Sequence, residues 1–155
     1  MASTSTNKQP VMIDRPFHRG RLITSQVVAD FRTPGNGATI LLDCTENDGA
    51  IVDTAYVFGA SNNAGEVALY ITTAATIINV NNTNTWPVAY LNVNAPAVGG
   101  HFLLDLPELS TPVPRSGVNA KNRGILVEKG EILIGAKIGA PWPTGHFLGI
   151  QGGFL

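Results

Sequence analysis

Cysteine is nearly absent: Cys44 stands alone, which excludes an intramolecular disulfide and a multi-cysteine zinc site. Charge is scarce as well. Asp, Glu, Lys and Arg make up 14% of the 155 residues, against a usual ~25%, and this argues against a solvated helical bundle. No apolar run approaches the ~18 residues that a membrane helix needs; the longest, Gly130–Ile138, is interrupted by charge. Met1–Lys8 is small and polar, without the apolar stretch of a secretory signal. What the chain does have is 44% hydrophobic residues, too many for wholesale disorder, cut by 17 Gly and 10 Pro. The length suits one domain.

The net charge of −1 conceals a segregated layout. Residues 1–32 hold Lys8, Arg15, Arg19, Arg21 and Arg32 against Asp14 and Asp30. Residues 33–114 contain no Lys or Arg but seven carboxylates: Asp43, Glu46, Asp48, Asp53, Glu66, Asp105 and Glu108. Residues 115–155 return to net positive through Arg115, Lys121, Arg123, Lys129 and Lys137. Either folding interleaves these segments into a mixed surface, or basic ends meet an acidic body, within one chain or between copies. The near-neutral total makes nucleic acid a poor primary partner.

Residues 1–20 read as a flexible basic arm: a polar tail ending at Pro10, then cations around Phe17. From residue 21 onward, short stretches rich in Val, Ile, Thr, Tyr and Phe alternate with turn residues. Strands are expected at 22–23 with 27–31, then at 38–44, 50–58, 66–72, 76–80, 88–93, 101–106, 124–128, 131–138 and 146–151. Period-two alternation is clearest where Ile132, Ile134, Ala136 and Ile138 share one side. Glu128-Lys-Gly-Glu131 before it reads as a hairpin turn. No 3.6-residue stripe competes. The expected fold is all-β, a single jelly-roll-like β-sandwich over 21–155 with an extended N-terminal arm. One segment breaks the rhythm. Residues 107–123 carry Pro107, Pro112 and Pro114 and no strand pattern, as in a stiffened contact loop. Gly100-His-Phe-Leu103 recurs as Gly145-His-Phe-Leu148, which suggests equivalent units on the two sheets.

No catalytic set emerges. Gly59-Ala-Ser-Asn-Asn63 lacks the closing glycine of a nucleophile elbow, and Gly35-Asn-Gly37 lacks the third glycine of a dinucleotide loop. The acidic run Asp43–Gly49 fails the EF-hand pattern, with Asp48 where glycine is required and Thr54 where glutamate is. His18, His101 and His146 form no zinc-binding pair. No cofactor is expected. For a sugar-binding reading, Trp86, Trp142, Tyr56, Tyr70 and Tyr90 are available, but each Trp precedes a proline and suits packing.

Leu109-Ser-Thr-Pro-Val-Pro-Arg115, Gly124-Ile-Leu-Val-Glu-Lys-Gly-Glu-Ile-Leu-Ile134 and the ending Gly149-Ile-Gln-Gly-Gly-Phe-Leu155 resemble the last third of jelly-roll capsid decoration (cement) proteins of tailed bacteriophages. The resemblance implies a non-enzymatic virion protein on the outer surface of the capsid, commonly a homotrimer. It would bind the major capsid protein, bridge capsomers and stabilise the shell, with no membrane partner. The residues offered for such contacts are Arg15, Phe17, His18, Arg19 and Arg21 in the arm, and Pro112, Pro114, Arg115, Lys121 and Arg123 in the loop. The alternative is a phage tail or fibre module that binds a receptor or glycan.

Overall fold

The computed structural model describes residues 15–23, 27–28, 37–59, 64–93, 99–107, 123–139 and 145–155. They form ten strands: β1 (Arg15–Ile23), β2 (Val27–Val28), β3 (Thr39–Asp43), β4 (Gly49–Phe58), β5 (Gly65–Thr72), β6 (Thr85–Val93), β7 (His101–Leu103), β8 (Ile125–Glu128), β9 (Ile132–Ile138) and β10 (His146–Phe154). Two five-stranded sheets result. In the first the order is β1-β10-β4-β7, with β8 sharing the far edge of β4; in the second it is β2-β9-β5-β6, with β3 sharing the far edge of β9.

The pairing is nested. β5 pairs with β6, β4 with β7 and β8, β3 with β9, and β1 with β10, all antiparallel. One long antiparallel ribbon has thus been folded over on itself, and the pairs β10–β4 and β9–β5 close the two sheets. This is jelly-roll connectivity. The fold-over is visible at the β3–β4 and β8–β9 turns, which lie side by side as the ribbon passes between sheets. There Cys44 N–H donates to Glu131 O at 3.0 Å, and Gly130 N–H donates to Cys44 O at 3.0 Å. The expected turn at Gly130 forms, with φ +87°, yet it joins strands of different sheets rather than a hairpin.

Between the sheets lies a core including Val57, Leu148 and Ile150 from the first sheet and Leu41, Leu69 and Leu133 from the second. Gly135 leaves space there: a Cβ on it would sit 2.3 Å from Leu148 Cδ2 of the opposite sheet. The Ile132, Ile134, Ala136 and Ile138 side of β9 does not face this core. With Ala68 and Tyr70 it forms a second cluster on the outer face, reached by Ala74 and Val80 from the β5–β6 connection and by Ala38. β9 is consequently buried on both sides.

Four expectations change. Arg15–Gly20, assigned to the arm, are the first six residues of β1, in register from Arg15↔Phe154 to Gly20↔Gly149. Backbone pairing needs no apolar side chain, and an edge strand lets its cations stay in water. The remainder of the arm, residues 1–14, lies outside the described residues. Residues 76–80, expected as strand, contain a single 3-10 turn at Ile77–Asn79. Asparagines specify it: Asn84 Nδ2–H donates to Asn79 O at 2.9 Å, and Asn81 N–H donates to Asn84 Oδ1 at 2.9 Å, local bonds that compete with a ladder. The strand expected at 101–106 ends at Leu103; of the one expected at 27–31, Val27–Val28 form β2 and residues 29–31 lie outside the described residues. The Gly-His-Phe-Leu echo falls on one sheet, not two. Phe147 and His101 flank Phe58 from either side of β4, while His146 is buried.

Candidate functional site

β1 supplies the first part of the surface. Phe17 turns inward and meets the Phe154 ring at 5.2 Å between centroids. The Arg15 and Arg19 guanidiniums stand over Phe154 at 5.2 and 5.5 Å, and Arg19 also lies 5.8 Å from the Phe17 ring. Within about 6 Å the negative ring face attracts a cation by roughly 0.5–1 kcal/mol at exposed sites. Arg15 further donates to Asn47 Oδ1 at 3.3 Å. Among the described residues Arg15, Arg19 and Arg21 have no carboxylate partner. The strand thus holds three guanidiniums along an exposed edge, two of them fixed on aromatic rings.

His18 lies on the opposite face of β1. It joins a row of side chains that strand alternation places on the outer face of the first sheet: Tyr56 and Phe58 from β4, His101 from β7 and Phe147 from β10. His18 Nε2 and the Tyr56 hydroxyl are hydrogen-bonded. The Tyr56 and His101 rings are 5.8 Å apart, and Phe58 meets His101 edge-on at 4.8 Å. Gly149 makes the arrangement possible, because a Cβ there would sit 2.3 Å from the Tyr56 ring. These groups surround an open depression of about 360 Å³ that also exposes Gly20. A second depression of about 520 Å³ adjoins it through His18 and reaches Asp53, Thr54 and Gln151.

The long-loop residues Pro112, Pro114, Arg115 and Lys121 lie outside the described residues. The base of the loop is described, and it is clamped: Gly124 N–H donates to Pro107 O at 3.0 Å, and Arg123 is ion-paired with Asp105. Arg123 is therefore anchoring the loop base. Lys129 likewise pairs with Asp48 at 3.4 Å. Cations of the C-terminal segment thus meet the acidic middle within one chain.

Other candidates resolve structurally. Asp43 Oδ1 accepts from Thr45 N–H at 2.9 Å and Thr45 Oγ1 at 2.6 Å, so this carboxylate organises a turn. Among the described residues no three His, Cys, Asp or Glu side chains gather as a metal site. Cys44 is fully buried, and burial, with Asp43 nearby, pushes its thiol up to about 11. Of the sugar-binding aromatics, Tyr70 is fully buried, Trp86 is half-exposed on β6, and Trp142 lies outside the described residues. Tyr90 hydrogen-bonds Glu66, which pushes its hydroxyl up to about 12. The row His18–Tyr56–Phe58–His101–Phe147 escapes sequence spacing because it draws on four strands; period-two parity within β4 is its one local trace. Compared with known protein families, curated proteins and solved structures, the chain matches none of them.

Proposed function

We propose that the chain is a structural component of a tailed-phage virion, a decoration protein that binds the outside of the assembled head. Its partners would be the major capsid protein and further copies of itself, as a homotrimer. The observation that carries the reading is the β1 edge, where Arg15, Arg19 and Arg21 stand in line without carboxylate partners among the described residues. A row of guanidiniums suits an acidic protein surface, and holding Arg15 and Arg19 on aromatic rings beforehand lowers the entropy lost on docking. A protein that binds only the assembled shell stabilises it by mass action.

The test has two parts. Quantitative mass spectrometry of purified particles should find the polypeptide at a copy number comparable to the major coat protein. Arg19→Glu/Arg21→Glu should then weaken binding of purified protein to undecorated heads, and rising salt should weaken wild-type binding. A polypeptide missing from particles, or affinity indifferent to both charge reversal and salt, refutes the proposal.

A further inference from the structure

We infer that the outer face of the first sheet is a carbohydrate-binding trough for a short neutral oligosaccharide. The inference stands on the trough alone and does not depend on where the protein resides. The larger part of a sandwich's exposed sheet face is ordinarily polar. Here the outward positions of β1, β10, β4 and β7 around the first depression are His18, Gly20, Leu22, Phe147, Gly149, Tyr56, Phe58, His101 and Leu103, with no Asp, Glu, Lys or Arg among them. Leu22, Phe147 and Leu103 are 44%, 45% and 69% exposed, so apolar area remains in water that a ligand would cover.

The chemistry of the lining selects the ligand. A purely apolar occupant would strip water from the His101 imidazole and from the capacity that the His18–Tyr56 hydrogen bond leaves unused, without replacing those bonds. A charged occupant finds no opposite charge in the first depression. A pyranose ring satisfies both conditions, since one face is C–H and packs on an aromatic ring, while its hydroxyls donate and accept at the imidazole nitrogens and the phenol. The two depressions meet at His18, which makes the trough longer than one ring. In the second, Thr54 and Gln151 offer acceptors and donors to the hydroxyls of a further sugar unit. The Tyr56 ring, bonded to His18 and seated on Gly149, is already in place before binding.

Gly20 offers a selective way to fill the site. A Cβ on it meets only Leu148 O at 3.7 Å and Gly149 Cα at 3.9 Å, ordinary contacts, and its φ is not left-handed. Gly20→Val should keep the fold, since valine suits strands, while its methyls rise into the first depression. The probes are maltotriose, lactose and N,N′-diacetylchitobiose, followed by saturation-transfer NMR on the full chain. Transfer from aromatic protein protons to the sugar C–H protons is expected for at least one of the three. Affinity should fall tenfold or more in both Gly20→Val and His101→Ala, with melting temperatures held near wild type. No transfer to any of the three sugars overturns the inference, as does wild-type affinity in both variants.

Discussion

Phe17→Ala separates a sandwich strand from a free arm. Phe17 is half-buried, packs at a tilt of 58° against Phe154 at 5.2 Å and lies beneath the Arg19 guanidinium. Truncating a fully buried Phe costs about 3–5 kcal/mol. Half-burial scales this to about 2 kcal/mol, and the loss of one exposed cation–π contact adds at most about 0.5–1 kcal/mol. For a domain of this size each kcal/mol moves the melting temperature by about 2–4 °C. A fall of roughly 4–12 °C is therefore expected by differential scanning calorimetry. Arg21→Ala, an exposed residue on the same strand, should stay within about 0.5 kcal/mol of wild type. Phe17→Ala melting within 1 °C of wild type, a limit of about 0.5 kcal/mol, would mean that β1 is not part of the cooperative unit, and the reasoning would fall.

Three further outcomes are expected. Gly152→Ala puts a Cβ 2.0 Å from the Ile51 carbonyl oxygen, beside the bulge at which β4 carries the extra residue Asp53 opposite β10. It should cost about 3 kcal/mol in urea unfolding, whereas a shift below 1 kcal/mol would show the bulge yielding freely. The Cys44 thiol ionises near 9.0 when unfolded and near 11 when folded. Its contribution is thus complete below pH 9 and lost as pH rises toward 11; comparing urea midpoints of wild type and Cys44→Ala across that window should show a steeper decline in wild type. Parallel slopes would count against thiol burial. Asp105→Asn should cost under about 1 kcal/mol, because Asp105 is 82% exposed, so a larger loss in thermal melts would mean that the loop base matters to the whole fold.

Most of the strands could be read directly, because each carries its own local signal: a β-branched run bounded by Gly, Asn or Asp. The Arg15–Gly20 part of β1 could not, since an edge segment made of Arg, Pro, His and Gly keeps one apolar side chain, Phe17, and takes its order from β10 at the other end of the described chain. The alternation of β9 was plain, but alternation does not say which side faces the other sheet; both sides are buried because the β5–β6 connection covers the Ile row. The arm cations were recognisable as a group, whereas the aromatic row was not. His101 and His146 share an identical tetrapeptide context, yet their strands enter the sheet one residue out of step, so one imidazole is exposed and the other sealed. No spacing rule contains that phase, because tertiary pairing sets it.

The nesting of the ribbon fixes an order of events during synthesis. Among the described strands β1 leaves the ribosome first, and its one ladder partner among them, β10, leaves last. At ordinary elongation rates of about 5–20 residues per second the wait is roughly ten seconds, long compared with hairpin formation in about 1–10 μs. β5 and β6 can zip as soon as both are out, and pairing then spreads outward to β1 last of all. Throughout that interval β1 is an unpaired strand in a crowded cell, at risk of joining the wrong neighbour. Its arginines repel other copies of the same nascent segment. They serve the birth of the molecule before they serve any surface of the finished one.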